Sequence, residues 1–301
     1  MFFPKWLLKV TRTKATFIGF SAVVMWGLLA YFSVLASAVP PLQLVAMSFL
    51  IGGLVGVSSW PFRPQALGTI FSQKWQVWAL NVGSLFGCHL LYFIAVRHAP
   101  VIEVSLISYL WPLLIVVFSA LAPGETLKSH HMIGVALGLA GAFVVITKGQ
   151  GLALSHGLML GHLIALPYAI LWASFSVLIR KYGHIPTDIV AGFCLACAAL
   201  SAVAHFILEP TLWPLSATQI FAVIGLGVLP MGLAFYAWDF GMKHGDRIIL
   251  GASAYAAPLL STLVLIAAGL AEATWSVVLA CGLIALGAVI AAKDMLRVKS
   301  I

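Results

Sequence analysis

The sequence predicts an all-α, polytopic membrane protein: ten transmembrane helices arranged as a 5+5 inverted repeat, with the N- and C-termini cytoplasmic. Three observations predict it. Charge is scarce, with 16 Lys or Arg and 8 Asp or Glu in 301 residues, about a third of the share in an ordinary soluble domain. The few charges are spaced at helix-length intervals. The basic residues also collect on one side when those intervals alternate across a bilayer. Apolar residues make up 62% of the chain, which excludes a disordered chain and leaves too few charges to cover a soluble globule. Four cysteines do not make a disulfide scaffold.

A hydrocarbon core of about 30 Å takes roughly 20 apolar residues as a helix. Between Lys14 and Arg63 lie 48 uncharged residues, enough for two helices: the first over about Ala15–Ala36, the second after Pro40-Pro41. Lys74 to Arg97 encloses 22, Glu103 to Glu125 encloses 21, and Lys128 to Lys148 encloses 19. Lys148 to Arg180 encloses 31, of which Gly149 to His156 reads as a loop. Asp188 to Glu209 encloses 20, and Glu209 to Asp239 encloses 29, opening with Pro210 and Pro214. Arg247 to Glu272 encloses 24, and Glu272 to Lys293 encloses 20. The expected segments are a cytoplasmic stretch 1–14, a first repeat 15–147, an outer loop 148–156, a second repeat 157–292 and a cytoplasmic tail 293–301. The basic start before the first helix is read as the flank of a retained span, not a cleaved signal.

With the N-terminus inside, the cytoplasmic segments hold Lys5, Lys9, Arg12, Lys14, Arg63, Lys74, Lys128, Arg180, Lys181, Lys243, Arg247, Lys293, Arg297 and Lys299. The outer segments hold only Arg97 and Lys148. This is the positive-inside bias, and it accounts for the net charge of +8. The basic residues act as topology signals with some attraction to lipid headgroups. No soluble basic patch for nucleic acid is present.

The halves align at an offset of 146: Trp26 with Trp172, Pro40 with Pro186, Arg97-His98 with Lys243-His244, Tyr109 with Tyr255, Pro112 with Pro258, and Gly141 with Gly287. Five helices per repeat invert the second repeat. Inverted repeats are a plan of secondary transporters, whose substrate site lies at mid-depth between the halves.

Ala99-Pro100 before a helix, Pro112, Gly124-Glu125 and Gly134-Val-Ala-Leu-Gly138-Leu-Ala-Gly141 occupy the first half; Pro258, Glu272, Gly282 and Gly287 follow in the second. On these residues the chain resembles the drug/metabolite transporter superfamily, of the EamA type. The run Tyr109-Leu110-Trp111-Pro112 is more similar to the YddG-type aromatic amino acid exporters than to other branches. The resemblance implies export of aromatic and other neutral amino acids from the cytoplasm, across a bacterial inner membrane. Most members carry Pro before the ninth helix, where this chain has Asp246.

Trp26, Trp111 and Trp172 lie too deep for the interfacial belt, to which Trp60, Trp75, Trp78, Trp213 and Trp275 are assigned, and Tyr168 lies at the centre of the sixth span. Polar stripes are expected to face inward, because lipid cannot hydrogen-bond them. One stripe holds Asn81, Ser84, Cys88 and Tyr92, and His89 lies beside it; a second holds Ser105, Ser108, Tyr109 and Pro112; a third holds Tyr168, Trp172 and Ser176. Ser253 and Tyr255 precede Pro258. The candidate substrate-binding set is thus Trp26, Asn81, Ser84, His89, Tyr92, Ser108, Tyr109, Trp111, Tyr168, Trp172, Ser253 and Tyr255. Pro112 and Pro258 are candidate gating kinks that free the carbonyls of Ser108 and Ala254. No Asp, Glu, Lys or Arg lies at the centre of a span, so the expected substrate is neutral or zwitterionic, its ammonium resting over Trp or Tyr faces. His89, His162 and His205 are read mainly as hydrogen-bonded structural residues.

Cys194-x-x-Cys197 lies in an apolar span without a thioredoxin-like context, and His130-His131 lacks further zinc ligands. Gly83-x-x-x-Gly87, Gly134-x-x-x-Gly138 and Gly157-x-x-x-Gly161 are expected at close helix crossings inside the bundle. No nucleotide-binding motif, cofactor or metal site is expected. The expected partners are a small-molecule substrate and membrane lipid, with the chain a monomer. Two alternatives stay open: a carrier of other metabolites or drugs (nucleobase-like, sugar-phosphate-like or toxic), and an intramembrane enzyme, which would need a paired acid–base set or metal ligands.

Overall fold

The computed structural model describes residues 10–62, 65–99, 101–120, 127–147, 149–150, 160–291 and 293. Pro100, Gly124, Glu125, Gly157 and most of the expected outer loop and tail lie outside them, as do Lys5, Lys9, Arg63, Lys148, Arg297 and Lys299. The described residues are all-helical. In chain order the helices are α1 (Arg12–Trp26), α2 (Leu29–Leu35), α3 (Pro41–Val57), α4 (Gln65–Phe71), α5 (Trp75–His98), α6 (Val101–Ser108), α7 (Trp111–Ala120) and α8 (Ser129–Ile146). They continue as α9 (Leu160–Leu178), α10 (Val190–Leu208), α11 (Ala217–Val228), α12 (Ala234–His244), α13 (Arg247–Ser253), α14 (Ala256–Ala267) and α15 (Trp275–Ala291). A π-helical turn, Leu229–Leu233, joins α11 to α12.

Among the described residues, six runs are long and apolar enough to cross a membrane: Arg12–Leu35, Pro41–Phe62, Leu160–Tyr182, Thr187–Leu208, Ala217–His244 and Arg247–Ala267. Two shorter apolar helices, Ser129–Val144 and Trp275–Ala291, accompany them. Several spans are not the straight rods the sequence predicts. The expected first helix over Ala15–Ala36 breaks after Trp26, where Gly27 lets Leu260 approach; a Cβ there would lie 2.7 Å from the Leu260 Cβ. The expected kinks at Pro112 and Pro258 are instead breaks two to four residues earlier, at Tyr109-Leu110 and Ala254-Tyr255. Each proline then falls in the first turn of the following helix, where a missing N–H costs nothing. The carbonyl of Ala254 is not freed, because it accepts from the Ala257 N–H at 3.0 Å. Pro167 sits inside an unbroken α9. The seven-residue α4 was not predicted.

Helix starts and stops follow local chemistry. Pro40 and Pro186 hold nearly the same extended backbone (φ −53°, ψ 137° and φ −58°, ψ 143°) just before their helical segments. Asp246 caps α13: its Oδ1 accepts from the N–H groups of Ile248 and Ile249, both at 3.1 Å. An aspartate at this position satisfies the orphan donors of a first turn. Its own N–H donates to Thr16 Oγ1 at 2.8 Å, and Arg12 pairs with its Oδ2 at 2.9 Å. Gly269, at φ 72°, ends α14 in the left-handed conformation that glycine adopts without strain.

Helices pack in reciprocal pairs: α1 on α12, α5 on α9, α3 on α10 and α8 on α15. Glycines set the closest crossings. A Cβ on Gly241 would stand 2.5 Å from the Gly19 Cα, and one on Gly134 would stand 2.6 Å from the Gly287 carbonyl oxygen. Gly138 faces the Tyr255 ring. Gly83 meets nothing within 4 Å, so that half of its motif is not at a crossing. The largest buried cluster runs from Val23 on α1 through Trp111, Trp172 and Phe193 to Trp238 and Leu250.

Candidate functional site

Five large rings meet where α1, α7, α9 and α12 converge. Trp26 is the last residue of α1 and Trp111 the first of α7, so the helix breaks deliver both indoles to the centre. Trp26 lies 6.1 Å from Trp111, 5.9 Å from Trp172, 5.0 Å from Trp238 and 6.4 Å from Phe235, between ring centroids. Trp111 meets Trp172 at 6.3 Å and Trp238 at 5.8 Å, both nearly perpendicular. These edge-to-face contacts satisfy the ring quadrupoles. The Trp26 indole donates to the Pro230 carbonyl at 3.1 Å, inside the π-helical turn, and the Trp238 indole donates to Ser176 Oγ at 3.1 Å.

The cluster extends in two directions. Phe49 stacks on Phe235 at 5.6 Å and meets His89 edge-on at 5.1 Å. His89 Nδ1 donates to the Leu85 carbonyl at 2.7 Å, which orients the imidazole. Tyr92 and Tyr168 lie 6.0 Å apart between ring centroids. Trp111 and Trp172 are buried, whereas Trp26, His89, Tyr92, Tyr109 and Tyr168 are half-buried. In this conformation aromatic rings fill the point where α1, α7, α9 and α12 meet.

A small void, with room for about one water molecule, borders the cluster, lined by Asn81, Leu85, Phe175, Val190, Phe193, Phe235, Trp238 and Asp239. Asn81 donates from Nδ2 to the Val77 carbonyl at 2.8 Å. Asp239 is buried, as is Lys243 one turn further along α12. Their ion pair is 2.8 Å long; Thr187 Oγ1 donates to the same Asp239 oxygen at 2.6 Å, and Lys243 also donates to the Ile185 carbonyl.

Other expected site residues stand apart. Tyr255 is fully buried in a separate cluster with Val116, Val135 and Ile248, and its hydroxyl accepts from the Leu113 N–H at 3.1 Å. Ser253 is buried at the end of α13. Ser84 and Ser108 are buried, and the Ser108 hydroxyl lacks a partner. Trp238, Phe235 and Asp239 were missed as site residues. Two of them are legible through the repeat: adding 146 to Tyr92 gives Trp238, and adding it to His89 gives Phe235. Of the residues assigned to the interfacial belt, Trp75, Trp213 and Trp275 are exposed. Trp60 and Trp78 instead pack on the main core, Trp78 with its ring 5.2 Å from Phe193. His205 bridges Glu209 at 3.1 Å and Thr211 at 2.9 Å, and the same Glu209 oxygen accepts from the Leu42 N–H at the start of α3.

An all-helical apolar bundle whose aromatic centre is fed by interrupted helices defines a polytopic membrane protein. The EamA-like transporter family model matches residues 13–147. A protein of Ancylobacter novellus, described as aromatic amino acid exporter YddG, is 45% identical over 94% of this chain and 98% of its own. Proteins of the same description from Salmonella typhimurium and Escherichia coli are each 25% identical, over 84% and 91% of this chain and 88% and 96% of their own. A solved crystal structure with 44% sequence identity superposes with a TM-score of 0.89, covering 96% of this chain and all of that one. The chain belongs to the EamA-like transporter family, in the drug/metabolite transporter superfamily, and is YddG-like. It is a multi-pass protein of the inner membrane.

Proposed function

We propose that this chain is a secondary transporter that exports aromatic and other neutral amino acids by alternating access, and not an enzyme. The observation that carries the reading is the ring cluster of Trp26, Trp111, Trp172, Phe235 and Trp238 at the meeting of both halves. Aromatic faces can stack on an aromatic side chain and attract its ammonium group. The names of the relatives, aromatic amino acid exporters, support the substrate class.

Counting each interrupted pair as one span gives ten: α1–α2, α3, α5, α6–α7, α8, α9, α10, α11–α12, α13–α14 and α15. The 146-residue offset exchanges the α1–α12 pair with the α5–α9 pair and maps α3–α10 and α8–α15 onto themselves. That reciprocity supports an inverted repeat, with 15–147 and 157–292 as its halves and both termini in the cytoplasm. Trp26, Trp111 and Trp172 bind the apolar side chain. His89, Tyr92, Tyr109 and Tyr168, which keep accessible surface, line the approach. Asn81, Ser84, Ser108 and Ser253 supply polar contacts, Tyr255 anchors the second helix break, and the breaks before Pro112 and Pro258 are the points where the halves bend. The rings part to admit substrate and close behind it, one half rocking on the other. The chain acts as a monomer.

Uptake of labelled phenylalanine into proteoliposomes tests this. Saturable flux, competed by tryptophan, tyrosine and methionine, is expected. Proteoliposomes with no saturable flux for any amino acid overturn it.

A further inference from the structure

The buried carboxylate of Asp239 has a use that the ring cluster alone does not explain. Asp239 is 3% exposed. Its Oδ2 accepts from both Thr187 and Lys243, while Oδ1 has no partner. A buried acceptor left unbonded is unfavourable and calls for an occupant. Asp239 lines the cavity beside the rings, and so does Asn81. The Asn81 Nδ2 bond to Val77 leaves its Oδ1 as an acceptor. The remaining lining is Leu85, Val190 and four aromatic residues, and the Trp238 indole N–H is already committed to Ser176. This cavity therefore offers two oxygen acceptors and aromatic surface, against one side-chain donor left over, the second Nδ2 hydrogen of Asn81. Lys243 neutralises Asp239, so a carboxylate arriving with the ligand meets no net negative charge.

We propose that Asp239 and Asn81 form a subsite for a primary ammonium group, next to the aromatic cluster, that selects substrates by their amino group. The proposal rests on the amino acid transport reading and gives it a named recognition element. Three N–H donors on the ligand meet the two open oxygens, and the adjoining rings supply cation–π attraction. The cavity lies on the side where α5 begins and α12 ends, which is the cytoplasmic side in the proposed orientation. A substrate to be exported would meet this subsite first.

The test is equilibrium binding to detergent-purified protein with three probes: L-phenylalanine, phenethylamine, which lacks the carboxylate, and 3-phenylpropionate, which lacks the ammonium. The variant D239N/K243Q removes the ion pair without leaving a lone buried charge. It is expected to weaken phenylalanine and phenethylamine at least tenfold and to leave 3-phenylpropionate unchanged. N81V leaves the ion pair intact and guards against a folding defect in the first variant; a threefold or larger loss with the same selectivity is expected. Equal losses for all three probes, or no loss in either variant, overturn the subsite and leave the transport reading standing. A wild-type protein that binds none of the probes overturns both.

Discussion

Trp26 and Trp172, 146 positions apart in the chain, meet at 5.9 Å with their indoles inclined by 71°. Each comes from the helix that opens its half of the sequence. His89 and Phe235, also 146 positions apart, lie 6.4 Å from each other. The equivalence is not complete: Trp111 has Ala257 at its repeat position. The centre is thus lopsided: both indoles meet Trp111 and Phe235, but Trp26 alone meets Trp238 and Trp172 alone meets Phe175.

Truncating one central ring removes stacking surface and opens a hole. Trp172→Ala is expected to lower phenylalanine flux at least tenfold, and to destabilise the protein by about 3–5 kcal/mol, as large aromatic truncations in packed cores do. Trp275→Ala, at a side chain 63% exposed, is expected to leave both unchanged. Flux in proteoliposomes and thermal unfolding in detergent measure the contrast.

Asp246 supplies the N-cap of α13. Asp246→Ala strips two backbone N–H groups of their acceptor and is expected to cost about 1–2 kcal/mol. Asp246→Asn keeps an acceptor oxygen and is expected to lose less. Arg12→Ala breaks the ion pair, but with Arg12 half exposed its effect is expected to stay below about 1 kcal/mol. Thermal unfolding of the three variants gives the order.

Glycine substitutions separate crossing points from open helix faces. Gly241→Val puts a side chain into the α1 backbone at Gly19 and is expected to abolish folded protein on size-exclusion chromatography. Gly282→Ala, with nothing within 4 Å, is expected to be neutral, or to stabilise by up to about 1 kcal/mol through helix propensity.

Gln43 holds the 209–212 segment to α3 through two hydrogen bonds with the Leu212 peptide, at 2.9 and 3.0 Å. Gln43→Leu leaves that peptide without either side-chain partner and is expected to cost about 2 kcal/mol, read as earlier proteolytic cleavage of the 209–216 segment.

Much of this was legible in the sequence because lipid imposes so few choices. Scarce charge and its spacing reveal a helical membrane bundle, and rare residues such as tryptophan mark its centre. Trp238 escaped notice because Asp239 beside it reads as the end of a span; the structure instead buries that carboxylate against Lys243 and Thr187. Tyr255 misled in the opposite way. Its match to Tyr109 suggests a common role, but the neighbours differ, and the Leu113 N–H takes its hydroxyl. Helix breaks are equally hard to read, since a proline that ends one helix and a proline that starts the next look alike without tertiary context. The π-helical turn depends on tertiary contact as well: the Pro230 carbonyl there accepts from Trp26, on a different helix.

The central claim is that the rings at the meeting of the halves hold the substrate. Photolabelling with an azido-phenylalanine, followed by peptide mapping, tests it most directly. Label on peptides carrying Trp26, Trp111, Trp172 or Trp238, displaced by excess phenylalanine, is the predicted result; label confined to exposed helix faces, or undisturbed by phenylalanine, would contradict it.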